Sequence, residues 1–380
     1  FAMDDTDAGS TSLGSADNVF MGHNAGSGTW ADAASNRNVS VGNYSMDSAL
    51  NGALDNTALG HYALSSITTG DYNVGLGSNA GLAITTGQYN NLVGYLAGDS
   101  LISGSNNTAI GSSALAASIG SSNNVAIGPS AGQNITTGNA NVLIGYKAGY
   151  AQKTQNSVIA IGYEAMGGTA GTNEGYDIAI GYRAMFNAMD GANGTALGNS
   201  TLENLVGQYT VAVGGETGRY ASGSYNTFLG YSAGRGGTTS APFSSGTYNT
   251  ALGYQALYSH TDGATKNTTV GRRAGYGITT GDNNVLLGND AGFGITTGGS
   301  NVVIGHQAMD ASSGAADGMV AIGVEALSTF NGGNVDSSVA VGEYSLNSLT
   351  DGVSSVAVGS KALRYTTGNY NTAVGADAAY

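Results

Sequence analysis

Groups able to do acid, base or nucleophilic chemistry are few in this chain of 380 residues, and their spacing sets them apart rather than together. Three of the four histidines, His23, His61 and His306, stand directly after a glycine of a recurring motif. Other copies hold Tyr, Asn or Ser there, so these imidazoles read as interchangeable surface residues. His260 is placed in a loop. Glu325 and Glu343 approach one another only if successive copies of the motif stack, and nothing near them in sequence raises their acidity. Catalysis needs convergent groups in a cleft, whereas these positions describe columns. The reading is of a chain that is no enzyme, with no catalytic, cofactor-binding or metal-ligating set. Cysteine is absent, which removes disulfides and thiolate ligands. The calcium-binding nonapeptide of some β-rolls is also missing.

Tyrosines carry more information. Tyr146, Tyr163, Tyr182, Tyr231 and Tyr254 each follow the motif glycine, and the first three fall in successive copies. Stacked copies would align their rings along one edge. Such a row suits sugar faces and adaptable polar partners, although plain stacking between copies explains it as well and is preferred. Arg235 and Phe243 lie in the longest insertion, 234–246, and are the candidates for an irregular contact. Insertions in repeats map to surface loops, where binding often resides.

What positions these residues is the motif N-T-A-L-G, seen at 56–60. Aligned on its glycine it has twenty-one copies between Gly22 and Gly375, and ten of the twenty intervals are 17 residues. A fixed period of this length marks a stacked array. Three residues before the glycine stands a β-branched residue in every copy but one, Asn91, and one before it always an aliphatic residue or Met. That alternation is a strand. The residue between them is also mostly apolar, as in Ala58, Leu92 and Phe228, so the strand is expected to be buried on both faces. Val/Ile and a second row of Ala should fill the coil, and the Ala/Leu/Phe row should pack against sister chains.

Three after the glycine, Ala occupies seventeen copies, a small residue for a tight approach. The I-T-T-G stretches, as at 67–70 and 84–87, read as a short second strand and a turn. Asn four before the glycine, as in Asn18, Asn56 and Asn107, is expected to form amide ladders. With 64 glycines the chain is a poor helix former.

These residues predict an all-β chain, a parallel β-solenoid of about 21 coils of roughly 17 residues. Residues 1–17, with Asp4, Asp5 and Asp7, form an acidic lead-in, and 18–380 one continuous repeat domain. At about 4.8 Å per strand the stack would be on the order of 100 Å long. Only 9% of residues are charged and the net charge is -14, which argues against a nucleic-acid partner. No apolar run is long enough to insert in a membrane as a helix. The chain opens at Phe1 and closes at Tyr380, so a leader or further domains are expected beyond it.

Copies such as 338–342 (S-V-A-V-G) and 124–128 (N-V-A-I-G), each followed by x-x-[Ala/Ser], resemble the head repeats of trimeric autotransporter adhesins. The longer form at 249–257 (N-T-A-L-G-Y-Q-A-L), with T-T-G downstream in the best copies, is similar to bacteriophage tail-fibre repeats. The resemblance covers nearly the whole chain. It implies a left-handed β-roll wound by three identical chains and placed outside the cell, on a virion tail or a cell surface. The 17-residue coil is longer than the adhesin coil and nearer the tail-fibre form. The expected role is a shaft or head segment mediating attachment to a host or surface, with itself as partner and a cell-surface glycan as a possible second. A self-assembling secreted filament is the alternative.

Overall fold

The computed structural model describes residues 14–28, 33–168, 175–188, 193–237, 244–311, 315–330, 335–349 and 354–379. It forms two compact units, Phe1–Gly191 and Ala192–Tyr380. No helix occurs among the described residues. Of the lead-in, Asp4, Asp5 and Asp7 lie outside them, while Ser15 is buried and accepts the Ser35 N–H at 3.0 Å.

One coil of the first unit shows why this sequence winds. The strand Thr57–Leu59 is three residues long. Gly60 ends it at φ +144°, and a Cβ there would sit 2.4 Å from the Gly77 carbonyl oxygen of the next coil. No side chain fits that approach, which is why glycine recurs at the position. Tyr62 and Leu64 follow with φ of 56° and 48°, and Tyr72 turns the chain again at 57°. Left-handed backbone at a non-glycine residue costs about 1–2 kcal/mol. Each of these N–H groups is bonded to a neighbouring coil, Tyr62 to Asn43 O at 3.0 Å and Leu64 to Ala80 O at 3.0 Å, which offsets the strain. The next strand, Val74–Leu76, then lies parallel to the first with like positions opposite, Thr57 against Val74 and Leu59 against Leu76.

This arrangement runs through the first unit from Val19–Met21 to Ile178–Ile180, and through the second from Thr195–Leu197 to Thr372–Val374. Every pairing is parallel and in register, as in Val142 with Ile159 and Val285 with Val302. The fold is a parallel β-solenoid, as the glycine spacing predicts.

Two expectations are corrected. The residue at the middle of each strand points into the coil, and its two flanking residues point out: Ala58, Leu92, Leu143 and Phe228 are fully buried, whereas Leu59 is 52% exposed. The row that fills the coil is therefore Ala/Leu/Phe, and the Val/Ile row is outside. The I-T-T-G stretches of the regular coils are bends rather than strands. The N–H groups of Thr68, Thr69 and Gly70 all converge on one oxygen, Thr85 O, at 3.0, 3.1 and 3.2 Å, so no one-to-one ladder forms. Among the described residues, further short strands beside the main row occur only in the second unit, where Thr329–Phe330, Ser348–Leu349 and Tyr365–Thr366 pair in parallel, as do Ala316–Asp317 and Val335–Asp336.

The interior balances its volume within many coils and, where both positions are small as at Gly75 and Gly81, between neighbouring coils, Leu64 and Leu92 filling the space. Where the strand's middle residue is large, the residue four after the glycine is Gly: Leu92 with Gly98, Leu143 with Gly149, Phe228 with Gly234. A Cβ on Gly149 would meet Leu143 at 2.6 Å, and one on Gly234 the Phe228 ring at 2.4 Å. Where the middle residue is Ala, the partner is often large, as with Ala58 and Leu64 or Ala109 and Leu115, all fully buried. Interiors pack at near-crystalline density, so one surplus methylene is felt.

Candidate functional site

The amide ladder is present and buried. Asn56 Nδ2 donates to Asn38 Oδ1 at 3.0 Å, Asn73 Nδ2 to Asn56 Oδ1 at 3.1 Å, and Asn124 Nδ2 to Asn107 Oδ1 at 3.2 Å. Each Oδ1 also accepts the backbone N–H of the next Asn, as Asn38 does from Asn56 at 3.0 Å. These groups are consumed in holding coil to coil and offer a ligand nothing.

The tyrosine row comes together. Rings of Tyr146 and Tyr163 stack at 5.1 Å, Tyr163 and Tyr182 at 5.4 Å, and Tyr231 and Tyr254 at 5.8 Å. A ring stacked in a column presents its edge to solvent and gives its face to its neighbour, so the between-coil contacts occupy the surface a sugar would need. Further columns were not singled out from the sequence. Tyr72 stacks on Tyr89 at 4.9 Å, Tyr225 on Tyr209 at 5.3 Å and on Tyr248 at 4.9 Å, all five residues before a coil glycine. Tyr258, Tyr276 and Phe293, five after it, stack at 4.9 and 5.1 Å. The common offset from the glycine was the signal.

Arg235 belongs to that last column. Its guanidinium lies 4.6 Å from the Tyr220 ring centroid and 5.2 Å from that of Tyr258, with Nε 3.5 Å from Glu216 Oε2. Both faces of the cation are covered by its own chain. Phe243, the other candidate of the insertion, lies outside the described residues.

His260, expected in a loop, is fully buried at the place Ile67, Ile84 and Ile135 take in other coils. Its Nδ1 lies 3.2 Å from the Leu257 carbonyl, so that nitrogen carries the proton of the neutral ring. Burial lowers its pKa to about 4, the backbone carbonyl opposing. His23, His61 and His306 are exposed. Among the described residues no three of His, Asp or Glu converge in a metal-holding group, and no helix is long and apolar enough to cross a membrane.

The outer side of the strands is the most distinctive surface. It carries two columns in each unit. The one before the glycine is aliphatic or Met throughout, including Leu59, Ile110, Ile127 and Ile180 in the first unit and Leu229, Leu252 and Leu287 in the second, all of them exposed. The other is Val, Ile and Thr with the single Asn91, so neither column contains a charge. Soluble monomers seldom expose contiguous apolar patches beyond a few hundred Å². Compared with known proteins, the chain matches no family model, no curated protein and no solved structure.

Proposed function

We propose that the chain is a rigid segment of an extracellular fibre, a tail fibre or surface adhesin, that assembles from three identical copies and contributes to attachment. The observation that carries this reading is the pair of uncharged outer columns, exemplified by Ile110 and Ile127 in neighbouring coils. A partner must match their rise of about 4.8 Å per strand along many coils, and a second copy of the chain has that pitch by construction. Three copies, a left-handed winding and an extracellular setting are supported by the resemblance of the repeats to adhesin heads and tail fibres. No constellation among the described residues favours catalysis. Light scattering coupled to size exclusion tests the assembly: a mass of three chains is expected, and a stable monomer overturns it. Open-ended particles would favour the filament reading instead.

A further inference from the structure

On the side wall of the first unit the residue five after each glycine forms its own column. Asp99, Ala116 and Gln133 occupy it in successive coils. The small Ala116 between two longer side chains leaves an open depression of about 270 Å³, lined by Asp99, Ser113, Gln133 and Asn134 among its polar residues, with Leu96, Ala116 and Ala117 as its apolar part. This is close to the lower end of small-molecule sites, roughly 300–1,000 Å³. Asp99 Oδ1 is shielded from water, and beyond the backbone N–H groups of Asp99 and Ser100 the carboxylate has no side-chain donor. The carboxylate lines the depression, which leaves room for a ligand hydroxyl to supply the donor that no side chain does. Burial also raises the Asp99 pKa, against backbone N–H groups that lower it.

The lining selects the ligand. A calcium ion takes 6–8 oxygens, and one carboxylate is present. No cationic side chain lines the depression, so an anion would meet only Asp99 and a net charge of -14. An ammonium would pair with Asp99 and leave both amides idle. A ring bearing several hydroxyls uses all of them: carboxylate oxygens accept, and amides and hydroxyls both donate and accept.

We propose that the depression over Ala116 binds one ring of a neutral sugar, Asp99 accepting from its hydroxyls and Gln133 and Asn134 supplying the amide partners. It deepens the attachment reading and rests on it only for its biological setting, because the site lies within one chain and off the apolar columns.

Ligand-observed NMR on the full chain tests it with three probes, methyl glucoside, methyl galactoside and methyl N-acetylglucosaminide, alongside the free sugars. Saturable binding by at least one probe is expected, tighter for the methyl glycoside if a glycan end is the source and for the free sugar if a soluble one is. Asp99→Asn should weaken it by about tenfold or more through loss of a charged hydrogen bond. Ala116→Leu should abolish it by filling the space, and Leu82 shows that this column position accepts leucine. Absence of saturation with every sugar overturns the proposal, as does binding unchanged in Ala116→Leu or saturation by methylammonium alone. The outcome reads the same in a monomer or a trimer, so failure of assembly and failure of the site are separable.

Discussion

Asn90 Nδ2 donates at once to Asn73 Oδ1 at 2.9 Å and to the Gly104 carbonyl at 2.8 Å, joining the coil before it to the coil after it. Its own Oδ1 accepts the Asn107 backbone N–H at 3.0 Å. Asn90→Ala leaves that buried N–H and the Gly104 oxygen without partners, and should cost about 3 kcal/mol. Asn90→Ser should cost about half as much, because Ser338 at the equivalent place accepts the next N–H through Oγ at 3.2 Å. Urea midpoints of the two variants give the order; equal losses would mean that the ladder contributes only bulk.

Leu92 and Gly98 divide one volume. A Cβ on Gly98 would lie 3.0 Å from Leu92 Cδ2, so Gly98→Leu overpacks the coil, and Leu92→Ala leaves a cavity worth about 2–5 kcal/mol. The double variant reproduces the native Ala109 and Leu115 pair of the following coil. It should be more stable than either single change, a non-additivity of at least about 2 kcal/mol in a double-mutant cycle.

Placing a charge in the outer column tests the proposed assembly. Ile127→Lys should leave the circular dichroism spectrum of the coil unchanged, because this side chain points away from the core, yet reduce the mass seen by light scattering to one chain. Leu143→Lys, at a fully buried strand centre, should instead abolish folding. Wild-type mass in the Ile127→Lys variant would remove the column from the interface.

His260 makes one coil acid-sensitive. Burial lowers its pKa from the ordinary 6.5 to about 4 on folding, so the unfolded chain binds the extra proton between those values. The stability that depends on the neutral ring is present above about 6.5 and is lost as pH falls toward 4, on the order of 3 kcal/mol in all. His260→Ile, matching Ile67 and Ile135, should flatten the melting-temperature profile across this window. An unchanged slope would show that carboxylates set it.

The glycine spacing located the strands, since the rule that no Cβ fits between Gly60 and Gly77 applies again in coil after coil. Which parity of the strand faces in was not legible. Both parities are apolar, and the narrow coil takes the smaller row, with Ala58 and Ala109 inside, while Val/Ile stay outside where a partner would need them. The I-T-T-G stretch has strand-forming residues, but its N–H groups share one acceptor. Arg235 looked like a surface contact because its insertion is long, whereas rings from adjacent coils enclose it. The depression at Ala116 needed three-dimensional register, since it arises from a small residue between two larger ones 17 positions away on either side.

The trade of bulk between Leu92 and Gly98 has an evolutionary corollary. Because each coil shows its neighbours the same ladder groups on both sides, duplicating or deleting the gene segment for one coil rejoins ladders that still fit. Bulk must be re-matched only where a small coil such as that of Gly75 and Gly81 borrows Leu64 and Leu92 from the coils beside it. The molecule can thus change its reach in whole coils, and unequal recombination is a ready route to chains of different length.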